Sequence, residues 1–173
     1  MMKEDSRLYW SRVLYWGLEC GSDIVLFCVV GQWLWEREFS VTGFAPYLIL
    51  SIVIYLCQKD FLANRPDMKF SELLLAGMCA GAAGSLIVDL YVAVYVKMYN
   101  PEIMEQSVKQ TVELASQMGY PASSEEMADM SRKLFVPALM MSTTMVYTIV
   151  SLIFAALGAF MVNIRQKNNN NSK

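Results

Sequence analysis

Four apolar blocks, each long enough to cross a lipid bilayer, constrain this chain more than any other feature of it. They lie at about 13–34, 43–62, 73–96 and 135–164. An α-helix rises about 1.5 Å per residue and the hydrocarbon layer is about 30 Å thick, so roughly 20 mostly apolar residues make one crossing. The expected fold is therefore an all-α membrane protein with four transmembrane helices. The segment 100–134 is expected to form an extramembrane helical hairpin between the third and fourth. A polar segment at 1–12 and a disordered tail at 165–173 flank the membrane domain.

Composition agrees with that plan and excludes several function classes. Charged residues make up 17% of the chain, against about 25% in a soluble domain, and mean hydropathy is +0.35. A formal net charge of −2 argues against a nucleic-acid partner, which would require a basic face. Histidine, the commonest general base and metal ligand, is absent. The cysteines Cys20, Cys28, Cys57 and Cys79 fall inside the blocks with no metal-type or CxxC spacing. They read as small apolar fillers. No phosphate loop or nucleophile–base pair is visible. The expectation is a non-enzymatic chain with no cofactor and no metal site.

The third block, LLLAGMCAGAAGSLIVDLYVAVYV, carries a stripe of small residues. Gly77, Gly81 and Ser85 recur every four residues, Gly84 lies beside them, and the same spacing leads to Asp89. Small residues let helix backbones approach closely in a membrane. The fourth block offers a matching stripe of Thr144, Thr148, Ser151, Ala155 and Gly158, whose hydroxyls are placed to bond across. The first block has a GxxxG at Gly17 and Gly21, and beside it two acids, Glu19 and Asp23, four residues apart on one helix face. A carboxylate at the centre of a span costs about 2.5–3.5 kcal/mol on insertion scales. Its face is expected to turn toward other helices or water. The second block has no small stripe and is expected to face mostly lipid, with Lys59 and Asp60 reaching for the headgroups.

Between the last two blocks, Asn100-Pro101 starts one helix, with Pro in its first position. Met104, Val108, Val112, Ala115 and Met118 give that helix an apolar face. Gly119-Tyr120-Pro121 ends it. Ser123 to Glu126 reads as a capping box opening a second helix, with Met127, Met130 and Leu134 on its apolar side. Lys and Arg gather at the N-terminus (Lys3, Arg7, Arg12), around the second connection (Lys59, Arg65, Lys69) and in the tail (Arg165, Lys167, Lys173). The positive-inside rule then places both termini in the cytoplasm and the hairpin on the far side.

From the third block to the fourth, the chain resembles the bacterial family known as domain of unknown function 4199 (DUF4199). The features that carry the resemblance are AGMCAGAAG, the aromatic exit YVAVYVKMYNPE, the Glu/Met/Gln-rich segment, and Phe135-x-Pro137 leading into the last block. The resemblance implies a small bacterial inner-membrane protein of four spans, with the hairpin before the fourth. It brings no activity and no site residues. Glu19 and Asp23 are more polar than the family pattern.

Two functions remain open at this point. In one, the chain acts by helix packing and by association, with itself as a homo-oligomer or with an envelope protein partner through the hairpin. In the other, Glu19, Asp23 and Asp89 form an intramembrane polar site, between the first and third spans, for a proton- or cation-coupled transport component. The bland reading of those acids is that they hydrogen-bond and fix packing. The methionines raise the possibility of copper, since thioethers suit Cu(I), but methionine at helical spacing is more often core.

Overall fold

A computed structural model of the chain describes residues 2–35, 44–119 and 124–171. Apart from short connections these are helical, with no strand among them. The helices are α1 (Met2–Trp35), α2 (Phe44–Asn64), α3 (Phe70–Val94), α4 (Pro101–Gln117) and α5 (Ser124–Asn171), with a π-helical turn at Tyr95–Tyr99. Four helical stretches are long and apolar enough to cross a membrane: Arg7–Trp33, Phe44–Asn64, Phe70–Tyr99 and Glu125–Val162. The chain is thus a multi-pass membrane protein.

Two boundaries differ from expectation. The second helix expected of the hairpin and the fourth span are one continuous helix, α5, with Pro137 inside it. Pro at that position loses its own N–H bond but does not end the helix. The same helix continues to Asn171, past the point where a disordered tail was expected. No Gly or Pro follows Gly158 to stop it. The expected connection at 36–42 and the capping residue Ser123 lie outside the described residues.

The chain divides into two compact units. The first comprises Met1–Val88 and Thr144–Lys173. Its helices pack through small residues on two faces of α3. On one face, a Cβ added at Gly17 would lie 2.6 Å from Ala83 Cβ, and one added at Gly21 would lie 2.6 Å from the Gly84 carbonyl oxygen. This is the contact of α1 with α3. On the other face, a Cβ at Gly77 would lie 2.9 Å from Ala155 Cβ, and Gly81 lies directly against Ser151. This is the contact of α3 with α5. Gly84 therefore belongs to the α1 face, while Gly77 and Gly81 belong to the α5 face.

Ser151, at the centre of the contact, does not bond across it. Ser85 Oγ donates to the carbonyl of Ala82 in its own helix, 2.8 Å away. Ser151 Oγ is buried with no hydrogen-bond partner. At Gly77 and Gly81 it is the close approach of the backbones that joins α3 to α5. Thr144 and Thr148, earlier in α5, are half-buried.

Most of helix α2 stays outside the core, and one face of it packs inward. Pro46, Leu50, Val53, Ile54, Cys57, Gln58 and Phe61 are buried along one face of it, at the helical spacing of an amphipathic stripe. Leu48, Ile52 and Leu56 stay exposed. Asp60, still partly exposed, accepts a bond from Trp16 Nε1 at 3.2 Å and lies 3.7 Å from the Arg12 guanidinium. Tyr9 adds a bond to the Glu72 carbonyl at 3.3 Å and packs on Phe61. At the start of α3, the Lys69 N–H donates to Glu72 Oε2 at 3.0 Å, half of a capping box. Free cysteines Cys20, Cys28 and Cys57 are buried, and Cys79 is partly so.

The second unit is Asp89–Thr143. Tyr91, Tyr95 and Tyr99 stack in sequence, with ring centroids 5.9 and 6.4 Å apart. The Asn100 N–H donates to the Tyr95 carbonyl at 3.0 Å, closing the wider π turn. Residues before proline avoid the helical region, and Asn100 has φ −137 and ψ 68. That ends the helix before Pro101 opens α4. Asn100 makes no side-chain capping bond to α4. Gly119, with φ 71, terminates α4 in the left-handed conformation that glycine adopts without strain.

Within this unit, Arg132 of α5 grips Glu105 of α4 through two bonds of 2.9 Å. The bidentate guanidinium holds the Glu105 carboxyl below its usual range, chiefly by hydrogen bonding. A carboxyl with a lowered value contributes stability above its unfolded titration, and that contribution disappears as pH falls through the folded value. Arg132→Met is expected to move the Glu105 titration upward, read by carboxyl-carbon NMR on the full chain. An unmoved midpoint would show that the pair does not persist in solution.

Candidate functional site

The three acids singled out in the sequence occupy different environments. Glu19 is exposed on α1 and Asp23 is half-buried. The α1 face toward α3 is taken by Gly17 and Gly21, so neither acid lies between the first and third spans. The physical reason is geometric: the glycines and the acids sit on different sides of one helix, and close packing selects the glycines. Asp23 instead lines a groove between α1 and α2, with a volume of about 550 Å³. Its other walls are apolar, among them Phe27, Val30, Ile49, Ile52 and Leu56. Asp89 belongs to the second unit and is 2% exposed. Among the described residues no three acidic, cysteine or histidine side chains gather as a metal site would require.

A polar residue the sequence did not flag lies at the centre of the first unit. Gln58 of α2 is fully buried. Its Nε2 donates to the carbonyl of Leu73 in α3 at 3.2 Å and to that of Ala155 in α5 at 2.7 Å. One side chain thus ties three helices. Its Oε1 has no hydrogen-bond partner and lies against Gly158, where any side chain would collide with it. A Cβ added at Gly77 would come 2.9 Å from Gln58 Nε2. Gly77 and Gly158 are small because this amide lies beside both.

In the second unit, α4 and the first part of α5 border an open groove of about 320 Å³. Val108 and Thr111 line it from one side, and Met127, Met130, Leu134 and Phe135 from the other. Val108 and Ala115 are buried, whereas Leu114, Met118, Met130 and Leu134 are exposed. Met118 was expected on the packed face and lies outside it, one residue before the helix-ending Gly119.

The family model described as a protein of unknown function, DUF4199, matches residues 16–162. The chain belongs to the DUF4199 family. Comparison with curated proteins and with solved structures finds no match. The DUF4199 match runs from within α1 to near the last buried turn of α5, and so takes in the acids of α1, Gln58 and the α4–α5 groove.

In this DUF4199 chain, sequence reasoning missed Gln58 because a single amide in YLILSIVIYLCQKD resembles the polar end of a span. The available signal was helical spacing. Leu50, Ile54 and Gln58 are each four residues apart, which places the amide in line with the buried stripe.

Proposed function

We propose that the chain acts by association, with the helical hairpin as its docking surface. The hairpin comprises α4 and the part of α5 before the membrane. The observation that carries this reading is the open α4–α5 groove, whose methionine and leucine walls remain exposed although the two helices are already paired. Methionine is unbranched and polarizable, so such a surface adapts to a partner's side chains. Apolar side chains left exposed beside a polar rim are the usual mark of an interaction site, and Glu105 and Arg132 supply polar groups in the same hairpin.

Bacterial inner-membrane localisation, both termini cytoplasmic and the hairpin periplasmic, completes the proposal. It is supported by the distribution of Lys and Arg. Chemistry plays no part in it; the chain is read as a non-enzymatic component that assembles with itself or with an envelope protein.

The test is in-cell crosslinking with a photoreactive residue at Met130, which is 63% exposed. A discrete adduct that disappears on Leu134→Lys is the expected result. Crosslinks only to lipid, or adducts unchanged by Leu134→Lys, would overturn the docking role. Labelling of Ser116→Cys by a membrane-impermeant maleimide in spheroplasts tests the topology, since Ser116 is exposed on α4. Labelling only after permeabilisation would place the hairpin in the cytoplasm.

A further inference from the structure

We propose that the groove between α1 and α2 binds a lipophilic organic cation, with Asp23 as its counter-ion. The groove is about 550 Å³, within the roughly 300–1,000 Å³ of sites that take small molecules. Eight of its nine lining residues are Leu, Phe, Val, Ile or Gly, and Asp23 is the ninth. It therefore offers one negative charge in an otherwise oily wall.

Asp23 makes no hydrogen bond or ion pair within 4 Å among the described residues. The ion pairs there are Arg12–Asp60, Arg132–Glu105 and Lys133–Asp129. Yet Asp23 stands near the middle of the candidate span Arg7–Trp33. A carboxylate at that depth is costly unless a charge of opposite sign meets it. An inorganic cation would have to shed its water against a wall with one carboxylate and no other oxygen side chain, whereas Ca²⁺ takes six to eight oxygen ligands and Mg²⁺ six. A cation that carries its own apolar surface satisfies both parts of the wall at once. Its charge faces Asp23 and its substituents face Ile49, Ile52 and Leu56. Phe27 adds an aromatic ring to the same wall, and rings attract organic cations. The class indicated is a monovalent quaternary ammonium, phosphonium or protonated amine with bulky apolar groups.

This site is independent of the hairpin and of its docking role. The test uses the full chain in phosphatidylcholine nanodiscs, with labelled tetraphenylphosphonium as the probe in equilibrium dialysis against empty nanodiscs. Saturable binding of one cation per chain is expected. Asp23→Asn is expected to weaken it at least tenfold, and Asp23→Glu by only a few fold. Ile52→Trp, which fills the groove from its exposed edge, is expected to weaken it at least tenfold as well. Leu152→Trp, on the exposed face of α5 away from the groove, controls for the added ring and is expected to bind as wild type. Asp23→Asn removes a charge from a membrane span, so insertion is made easier and loss of binding is not loss of fold. Equal binding by Asp23→Asn overturns the proposal. So does equally tight binding of neutral triphenylphosphine oxide, which would mark the groove as a seat for lipid tails alone. Absence of saturable binding by the wild-type chain overturns it too.

Discussion

Gln58→Glu destabilises the first helical unit by about 3–5 kcal/mol, the range for a buried charge left without its partner. The Gln58 amide points its two N–H groups at the carbonyls of Leu73 and Ala155. An ionised carboxylate in the same place turns an oxygen toward each of those oxygens and has no donor to offer. A protonated carboxyl donates once, so one carbonyl is lost in that form and both in the ionised one. Gln58→Leu, nearly the same size, removes the two bonds without adding charge. Polar contacts between membrane helices average about 0.6 kcal/mol each by double-mutant cycles, so the Leu variant is expected to lose about 1 kcal/mol. The comparison is made by denaturant titration of the purified chain in mixed micelles, followed by circular dichroism. Equal stability of the Glu and Gln proteins would show that water reaches this amide and that the three-helix knot does not exist.

The second large effect belongs to Gly81. A Cβ built there lies 2.5 Å from Ser151 Cβ and closer still to Ser151 Oγ, below the separation that two non-bonded side chains reach. Gly81→Ala must therefore separate α3 from α5 or rotate one of them. Overpacking of this kind costs about 1–3 kcal/mol and occasionally more. Gly81→Val adds two methyl groups to the same collision and is expected to prevent recovery of folded protein. The decisive variant is the exchange, Gly81→Ala with Ser151→Gly, which returns the lost volume to the contact and is expected to recover most of the stability. Residues in direct contact are expected to be non-additive. If the two changes simply add, the α3–α5 contact is not where the structure has it.

These two positions differ in how far the sequence disclosed them. The Gly77–Gly81–Ser85 stripe and the Ser151–Ala155–Gly158 stripe were recognisable as packing surfaces, because small residues at a spacing of four can lie only on one side of a helix. Where they meet, Gly77 lies against Ala155 and Gly81 against Ser151. The assignment of Gly84 was not available, since a glycine beside a stripe belongs to it or to the neighbouring face depending on which helix comes near. Gln58 was hidden for a related reason. An amide near the end of an apolar run is compatible with the headgroup region, and only three converging helices make it interior. The same holds for Asp60, which looks outward in the sequence and receives Trp16 and Arg12 in the structure.

The four apolar blocks and the absence of histidine determined, without any coordinates, that this is a helical membrane protein and that the usual metal and acid–base chemistry lacks its commonest residue. Those conclusions depend on length, hydropathy and residue inventory, which are properties of the chain in one dimension. Tertiary structure alone decided which side of each helix is buried. It put the acids of α1 away from α3, put Asp23 in a groove with α2, and made one face of α2 the carrier of the central amide. The physical reason is that a helix in lipid gains little from hiding apolar surface. Its orientation is set by where backbones can approach and where polar groups find partners, and both depend on residues far apart in the chain.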